Sequence, residues 1–184
     1  MEEERELVAL ARRGDGAAFA ALVRPHLSAM LRLATVIGAP TSDAEDILQE
    51  ALTKAYFALR SFDTDRPFRP WFATIVVNQT RNTARSSQRR RRLIERVAAV
   101  APPGVVGPEE HAMARSAAAH TRALIDTLDE HERLVVTLRQ VAGLSEAETA
   151  EVLGIALGTV KSRNWRGLNH LRQRLARLTP EKNS

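Results

Sequence analysis

The chain contains no cysteine. That excludes disulfides, thiolate metal sites and a cysteine nucleophile. Aromatic residues make up only 4%, so the core must be built from Leu, Val, Ile and Ala, a composition that favours helices over sheets. No apolar run approaches the roughly 20 residues needed to span a bilayer, and no membrane insertion is expected. The N-terminus, MEEERELVALARR, opens with acids, unlike a secretory signal; the expected compartment is the cytoplasm. His26, His111, His120, His131 and His170 are scattered and show no ligand-like spacing, so no metal and no cofactor is expected. No nucleophile constellation points to an enzyme. Finally, no acid occurs between Glu151 and Glu181.

That last absence matters because of what fills the interval. Lys161, Arg163, Arg166, Arg172, Arg174 and Arg177 crowd it, and a second basic run holds Arg81, Arg85, Arg89, Arg90, Arg91, Arg92 and Arg96. The net charge is only +5, but solvated helix faces usually mix both signs for i,i+4 pairing. Two separate basic stripes are the electrostatic footprint of a polyanion binder. The 184 residues, 44% of them hydrophobic, suit one medium domain or two small ones.

Along the chain, Glu6 to Arg13 reads as a short amphipathic helix stopped near Gly14. Asp15 caps the next, whose apolar positions Phe19, Leu22 and Val23 continue through Leu27, Leu31 and Ala34. Pro25 should kink or split that run. Ser42 with Glu45 forms a capping box ahead of a helix from Asp43 to about Leu59. Ser61 to Pro70 reads as a loop, and a helix follows from Trp71 to about Arg92. The stretch VAAVAPPGVVGPEE carries paired prolines and glycines and no helical period, as a linker does. A helix from near Ala112 past Leu124 and Leu128 opens the second half. Glu130 to Val141 follows, burying Leu134, Val135 and Leu138, and Gly143 closes it. The expected fold is all-α: two small helical domains, a bundle over 1–96 and a helix-turn-helix over 116–184, joined by a flexible linker over 97–115.

The second half carries the sharper pattern. Ser145 and Glu148 form another capping box. Small Ala150 permits close approach of two helices, Gly154 can take the positive φ of a tight turn, and Ile155 and Val160 pin the pair together. The second helix then presents Thr159, Lys161, Ser162, Arg163, Trp165 and Arg166 outward, with its N-terminal end suited to a major groove. A helix hairpin in any bundle shares the spacing but not the basic face. Ala156 stands where a capping side chain would help.

Three stretches carry a resemblance. DAEDILQEALTKAYFALRSF (Asp43–Phe62), PFRPWFATIVVNQTRN (Pro67–Asn82) and HERLVVTLRQVAGLSEAETAEVLGIALGTVKSR (His131–Arg163) resemble, in this order, the core-binding helix, the promoter-melting helix and region 4 of the extracytoplasmic-function (ECF) sigma factors of bacterial RNA polymerase. The resemblance implies an alternative sigma factor that binds core polymerase and directs promoter-specific initiation. Region 2 would engage the coiled coil of the largest subunit, and region 4 the flap. Asp46, Gln49 and Glu50, which share a helix face, would form the docking patch. Asn78 would read a base flipped from the minus-10 element, its amide supplying donor and acceptor. Phe62 and Ile75 would wall the pocket, and Arg81 and Arg85 would hold phosphates. Trp71 fits a core role. Lys161, Ser162, Trp165 and Arg166 would face bases of the minus-35 element, and Arg163 and Thr159 its phosphates. Trp165 is bulkier than expected there; it either stacks or packs. A cognate anti-sigma factor is a further expected partner.

The linker fits this branch. About 19 residues extend ~65 Å at roughly 3.3–3.6 Å each, against ~70 Å for two elements two helical turns apart, and the width of the domains themselves makes up the difference. The competing reading is a one-component or response-type regulator, whose helix-turn-helix region 4 also resembles. The first half, however, shows no βα alternation and no phosphoacceptor pattern.

Overall fold

The structure, a computed structural model, describes residues 2–37, 43–98 and 123–178, with side chains throughout except at 90–98 and Leu178. Among the described residues every regular element is helical. Helix α1 (Glu2–Arg12) ends at Gly14, whose φ is 95°. Asp15 caps α2 (Gly16–Val23) by accepting from the amides of Ala17 at 2.9 Å and Ala18 at 3.0 Å. Pro25 then has the expected effect: a 3₁₀ turn, Arg24–His26, separates α2 from α3 (Leu27–Ile37). The capping serine read at Ser42 lies outside the described residues. Helix α4 spans Ala44–Ala58 and carries Glu45 and Asp46 in its first turn, where acids complement the helix dipole.

Helix α5 spans Phe68–Ala98. It begins three residues before the expected start and takes in Pro70, because a proline in the first turn breaks no helical hydrogen bond. It also absorbs Val97 and Ala98, read as linker; 99–115 lie outside the described residues. In the second half, only 123–125 of the expected helix through Leu128 are described as helical. The chain then turns, so Leu128 lies past the helix. Asp129 caps α6 (Glu130–Gln140), accepting from His131 at 2.8 Å and Glu132 at 2.9 Å. Helices α7 (Glu146–Leu153) and α8 (Leu157–Leu178) follow.

Helix α1 organises the loop before α5. Arg12 donates to the carbonyls of Leu59 (3.0 Å) and Phe62, and Glu4 accepts from the Phe68 amide at 3.1 Å. Phe68 and Phe72 are fully buried with Met30, Leu33 and Leu59. This core does not stop at the first half. Leu134, Leu138, Ala142 and Leu144 belong to the same apolar cluster, because α3 packs on α6 and α5 on α7. The two halves, expected as units on a tether, lie against each other.

The stretch Gly16–Ile37 is more apolar than the sequence reading allowed, with an 18-residue window of mean hydropathy 1.2, enough by length and composition to cross a membrane. It is bent at Arg24–His26, and its Leu22, Val23, Met30, Leu33 and Ala34 are buried in the shared core. These buried side chains are its contribution to the bundle.

His26, half-buried with its ring 5.8 Å from that of Phe68, has its pKa lowered from 6.5, first by burial and then by the charge of Arg69, with Glu4 opposing. The folded state thus resists protonation more than the unfolded one. Stability is full above about pH 6.5 and falls as pH drops below that value. Thermal unfolding from pH 7.5 to 5.5 should show a smaller fall in midpoint for His26→Gln than for the wild type. Parallel falls would remove His26 as a contributor.

Candidate nucleic-acid interface

Helix α4 buries Ala44, Ile47, Leu48, Ala51 and Ala55 and turns Asp46, Gln49 and Glu50 to solvent on one side. Glu50 has an internal partner that the sequence did not reveal. Its Oε2 accepts from Gln79 Nε2 of α5, and Gln79 Oε1 accepts from Lys54 Nζ. Gln79 is only 4% exposed; a polar residue inside a polar helical segment gives no local sign of burial.

Helix α5 carries Trp71, Ile75 and Asn78 at i, i+4, i+7, one continuous row. Phe62 and Ile75, with Trp71 and Thr74, line a cavity of about 460 Å³. Trp71 both packs on the core and walls this cavity, its ring 4.8 Å from that of Phe62. Asn78 is exposed, one turn further along. Arg81 and Arg85 extend the row to a second cleft of about 370 Å³, also lined by Glu130 and Arg133.

The second half folds as the spacing required. Ser145 Oγ accepts from Glu148 N at 3.2 Å, and Glu148 Oε2 accepts from Ser145 N at 2.6 Å, a complete capping box. Gly154 is left-handed, with φ 63° and ψ 37°, and its amide bonds back to the carbonyls of Ala150 and Glu151. Val160 is fully buried and Ile155 half-buried. On α8, Lys161, Ser162, Trp165 and Arg166 are exposed, while Thr159 and Arg163 are half-buried. Trp165 is 66% exposed, so in this structure it does not pack as core. Lys161 lies 3.8 Å from Glu146.

Glu132 was also missed. Its carboxylate, 5% exposed, lies 3.5 Å from Arg166 Nε and 2.9 Å from His170 Nδ1, tying α6 to the basic row of α8. The close approach of these helices depends on Gly167. A Cβ there would meet Val136 Cγ2 at 2.7 Å, and the β-branched valine has little freedom to retreat. Gly167→Val should therefore lower unfolding free energy by about 2–3 kcal/mol in denaturant melts. Wild-type stability would show that α8 shifts without cost.

The two halves meet across the same surfaces. Arg66 pairs with Glu151 of α7 at 2.7 Å, and Glu151 borders the Phe62 cavity. Arg81 pairs with Glu130 of α6 at 3.2 Å, while its Nε is buried without a partner. Arg69 donates to the carbonyl of Ala142 and lies over Gly143, where a Cβ would meet its Nη2 at 2.6 Å. In this arrangement acidic side chains of the second half sit on arginines of the first.

Comparison with known families decides what these surfaces belong to. The family described as Sigma-70 region 2 matches residues 22–90, and Sigma-70, region 4 matches residues 121–171. The RNA polymerase sigma factor CnrH of Cupriavidus metallidurans is 34% identical over 169 residues, covering 88% of both chains. The chain is an ECF sigma factor.

The relatives include the ECF RNA polymerase sigma factor SigM of Mycobacterium tuberculosis, 36% identical over 95% of this chain and 84% of that one. The ECF sigma-E factor of Escherichia coli is 32% identical over 89% of each. A solved structure of CnrH in complex with the cytosolic domain of CnrY aligns with a TM-score of 0.77 at 30% identity, covering 96% of this chain and 99% of that one. Sigma factors are regulatory initiation factors, and this one serves promoter-specific transcription initiation by RNA polymerase. The α4 face and the Phe62, Trp71 and Ile75 walls of the cavity lie in its region 2 match, and the helix-turn-helix, with Glu151 at the cavity's border, in its region 4 match.

Proposed function

We propose that this sigma factor works through three surfaces. The α4 face of Asp46, Gln49 and Glu50 docks on the coiled coil of the polymerase's largest subunit. The cavity walled by Phe62 and Ile75 receives a flipped base of the minus-10 element, Asn78 reads its edge, and Arg81 and Arg85 hold backbone phosphates. On α8, Lys161, Ser162, Trp165 and Arg166 face bases of the minus-35 element, with Thr159 and Arg163 toward phosphate, while the flap receives region 4. The observation that carries this reading is the row Trp71–Ile75–Asn78–Arg81: the aromatic and aliphatic wall of a pocket that also holds polar side chains, then an exposed amide and basic side chains in succession on one helix. It is the sequence of groups that capture and reading of an unstacked base require.

The units are region 2 from the N-terminus to the end of α5 at Ala98, a linker over 99–115 and region 4 over 116–184. The chain carries no catalytic step of its own and acts in the cytoplasm, where polymerase and chromosome meet. Because Glu151 and Glu130 lie against Arg66 and Arg81, promoter binding requires the halves to part, and the linker together with the width of the two domains then spans both elements. Among the solved structures that align with this chain are the sigma factor RpoE in complex with the anti-sigma factor NepR from Bartonella quintana (TM-score 0.66, 25% identity, 85% and 96% of the chains) and CnrH in complex with the cytosolic domain of CnrY. A cognate anti-sigma factor that holds this chain follows by analogy.

The test is transcription in vitro with the purified chain, sigma-free core polymerase and a pool of promoter fragments from the source genome. Discrete transcripts that require this chain are expected. Their absence, alongside sequence-specific DNA binding by the chain alone, would make it an ordinary DNA-binding regulator.

A further inference from the structure

Phe57 is 72% exposed, the most exposed of the large apolar side chains among the described residues. A single exposed apolar side chain is ordinary; two observations set this one apart. The first is register. Eleven residues after Asp46 and seven after Glu50, Phe57 falls within ~20° of Asp46 around the helix and ~16 Å along it. Asp46, Gln49, Glu50, Thr53 and Phe57 are all exposed, so they form one stripe three turns long.

The second observation is support. The Phe57 ring stands edge-on to Tyr56 at 5.7 Å, and Tyr56 stands edge-on to Phe19 at 5.2 Å. The exposed ring is thus backed by an aromatic relay that reaches α2. Such support reduces the conformational freedom lost when a partner covers it. Around it, Arg13 and Arg60 are exposed and share with it a notch of about 140 Å³. The stripe is therefore acidic at its N-terminal end, and apolar with a basic rim at its C-terminal end.

We infer that Phe57 is the apolar anchor of the core-polymerase contact, continuing the α4 docking face to the end of the helix. Its pocket on polymerase is an apolar hollow rimmed by acidic side chains that meet Arg13 and Arg60. Buried aromatic anchors within a charged rim carry most of the affinity in protein interfaces. The inference rests on the docking role proposed for Asp46 and Glu50.

The experiment titrates core polymerase with the full chain, labelled for anisotropy, as wild type, Phe57→Ala, Phe57→Leu and Asp46→Lys. Phe57→Ala should weaken binding about 10- to 30-fold with an unchanged thermal midpoint, because the exposed ring is not needed for folding. Phe57→Leu should recover most of the loss. Weakening by Asp46→Lys but not by Phe57→Ala would overturn this inference and leave the docking face standing. Wild-type binding by both variants would overturn the docking face and this inference with it. Loss of self-association in Phe57→Ala, seen by sedimentation, with core binding intact would assign the ring to a second copy of the chain and overturn the inference.

Discussion

Reversing both acids of the α4 face, Asp46→Lys with Glu50→Lys, is expected to lower affinity for core polymerase at least about a hundredfold. Placing like charges in apposition costs several kcal/mol, and each 1.4 kcal/mol is about tenfold. The two positions contribute differently. Asp46 is exposed in the first turn of α4, so its replacement changes the docking surface and, beyond that, only a helix-dipole contribution of about 0.3–1 kcal/mol. Glu50 also accepts from Gln79, which in turn holds Lys54. A lysine at position 50 would face Lys54 and leave the buried Gln79 amide only the long contact to Thr83 Oγ1 at 3.5 Å, which also loosens α4 on α5. Asp46→Lys alone should thus show a large affinity loss with little change in melting temperature, and Glu50→Lys a loss in both. The measurement is a core-binding titration beside thermal unfolding, repeated at raised salt, where the wild-type advantage should shrink. Unchanged affinity in the double variant would remove α4 as the docking face.

What could be read from the sequence is what neighbouring residues decide. The Asp15 cap, the break at Pro25, the Ser145–Glu148 box and the left-handed Gly154 all obey rules that act over about four residues, and all are present. The start of α5 was misread by the same kind of rule: Pro70 reads as loop, yet a first-turn proline is compatible with a helix. The row of α8 was legible as basic but not as half-buried at Thr159 and Arg163, because burial depends on how α8 rests on α6. Gln79 and Glu132 are the harder cases. Each is a polar residue enclosed by partners 25 or more positions away, so no period or cap betrays it. The packing of one half on the other is illegible for the same reason. Arg69 and Ala142 are separated by 73 residues, and the shared apolar cluster is assembled from side chains that each half could have buried alone.

Asn78→Ala should cut open-complex formation about 10- to 100-fold while leaving core binding and folding stability unchanged. Asn78 is exposed one turn beyond Ile75, so its amide has no part in the core. Its value lies in what it offers a base seated in the cavity beside Phe62 and Ile75: one donor and one acceptor on the same rigid group. Without it the edge of a buried base is left unpaired, a cost of about 1–3 kcal/mol. That cost falls on the melted state and not on duplex binding, whose phosphate contacts at Arg81 and Arg85 remain. Asn78→Asp should do worse than alanine, since it keeps the acceptor, loses the donor and adds a negative charge among phosphates. The assay must include core polymerase, because in the free chain Glu151 borders the same cavity and Glu130 holds Arg81. Permanganate reactivity of the melted strand reports the outcome directly. Wild-type reactivity in Asn78→Ala would strip the residue of its reading role and leave Phe62 and Ile75 as walls without a reader. Reduced reactivity accompanied by an equal loss of duplex binding would recast Asn78 as a backbone contact.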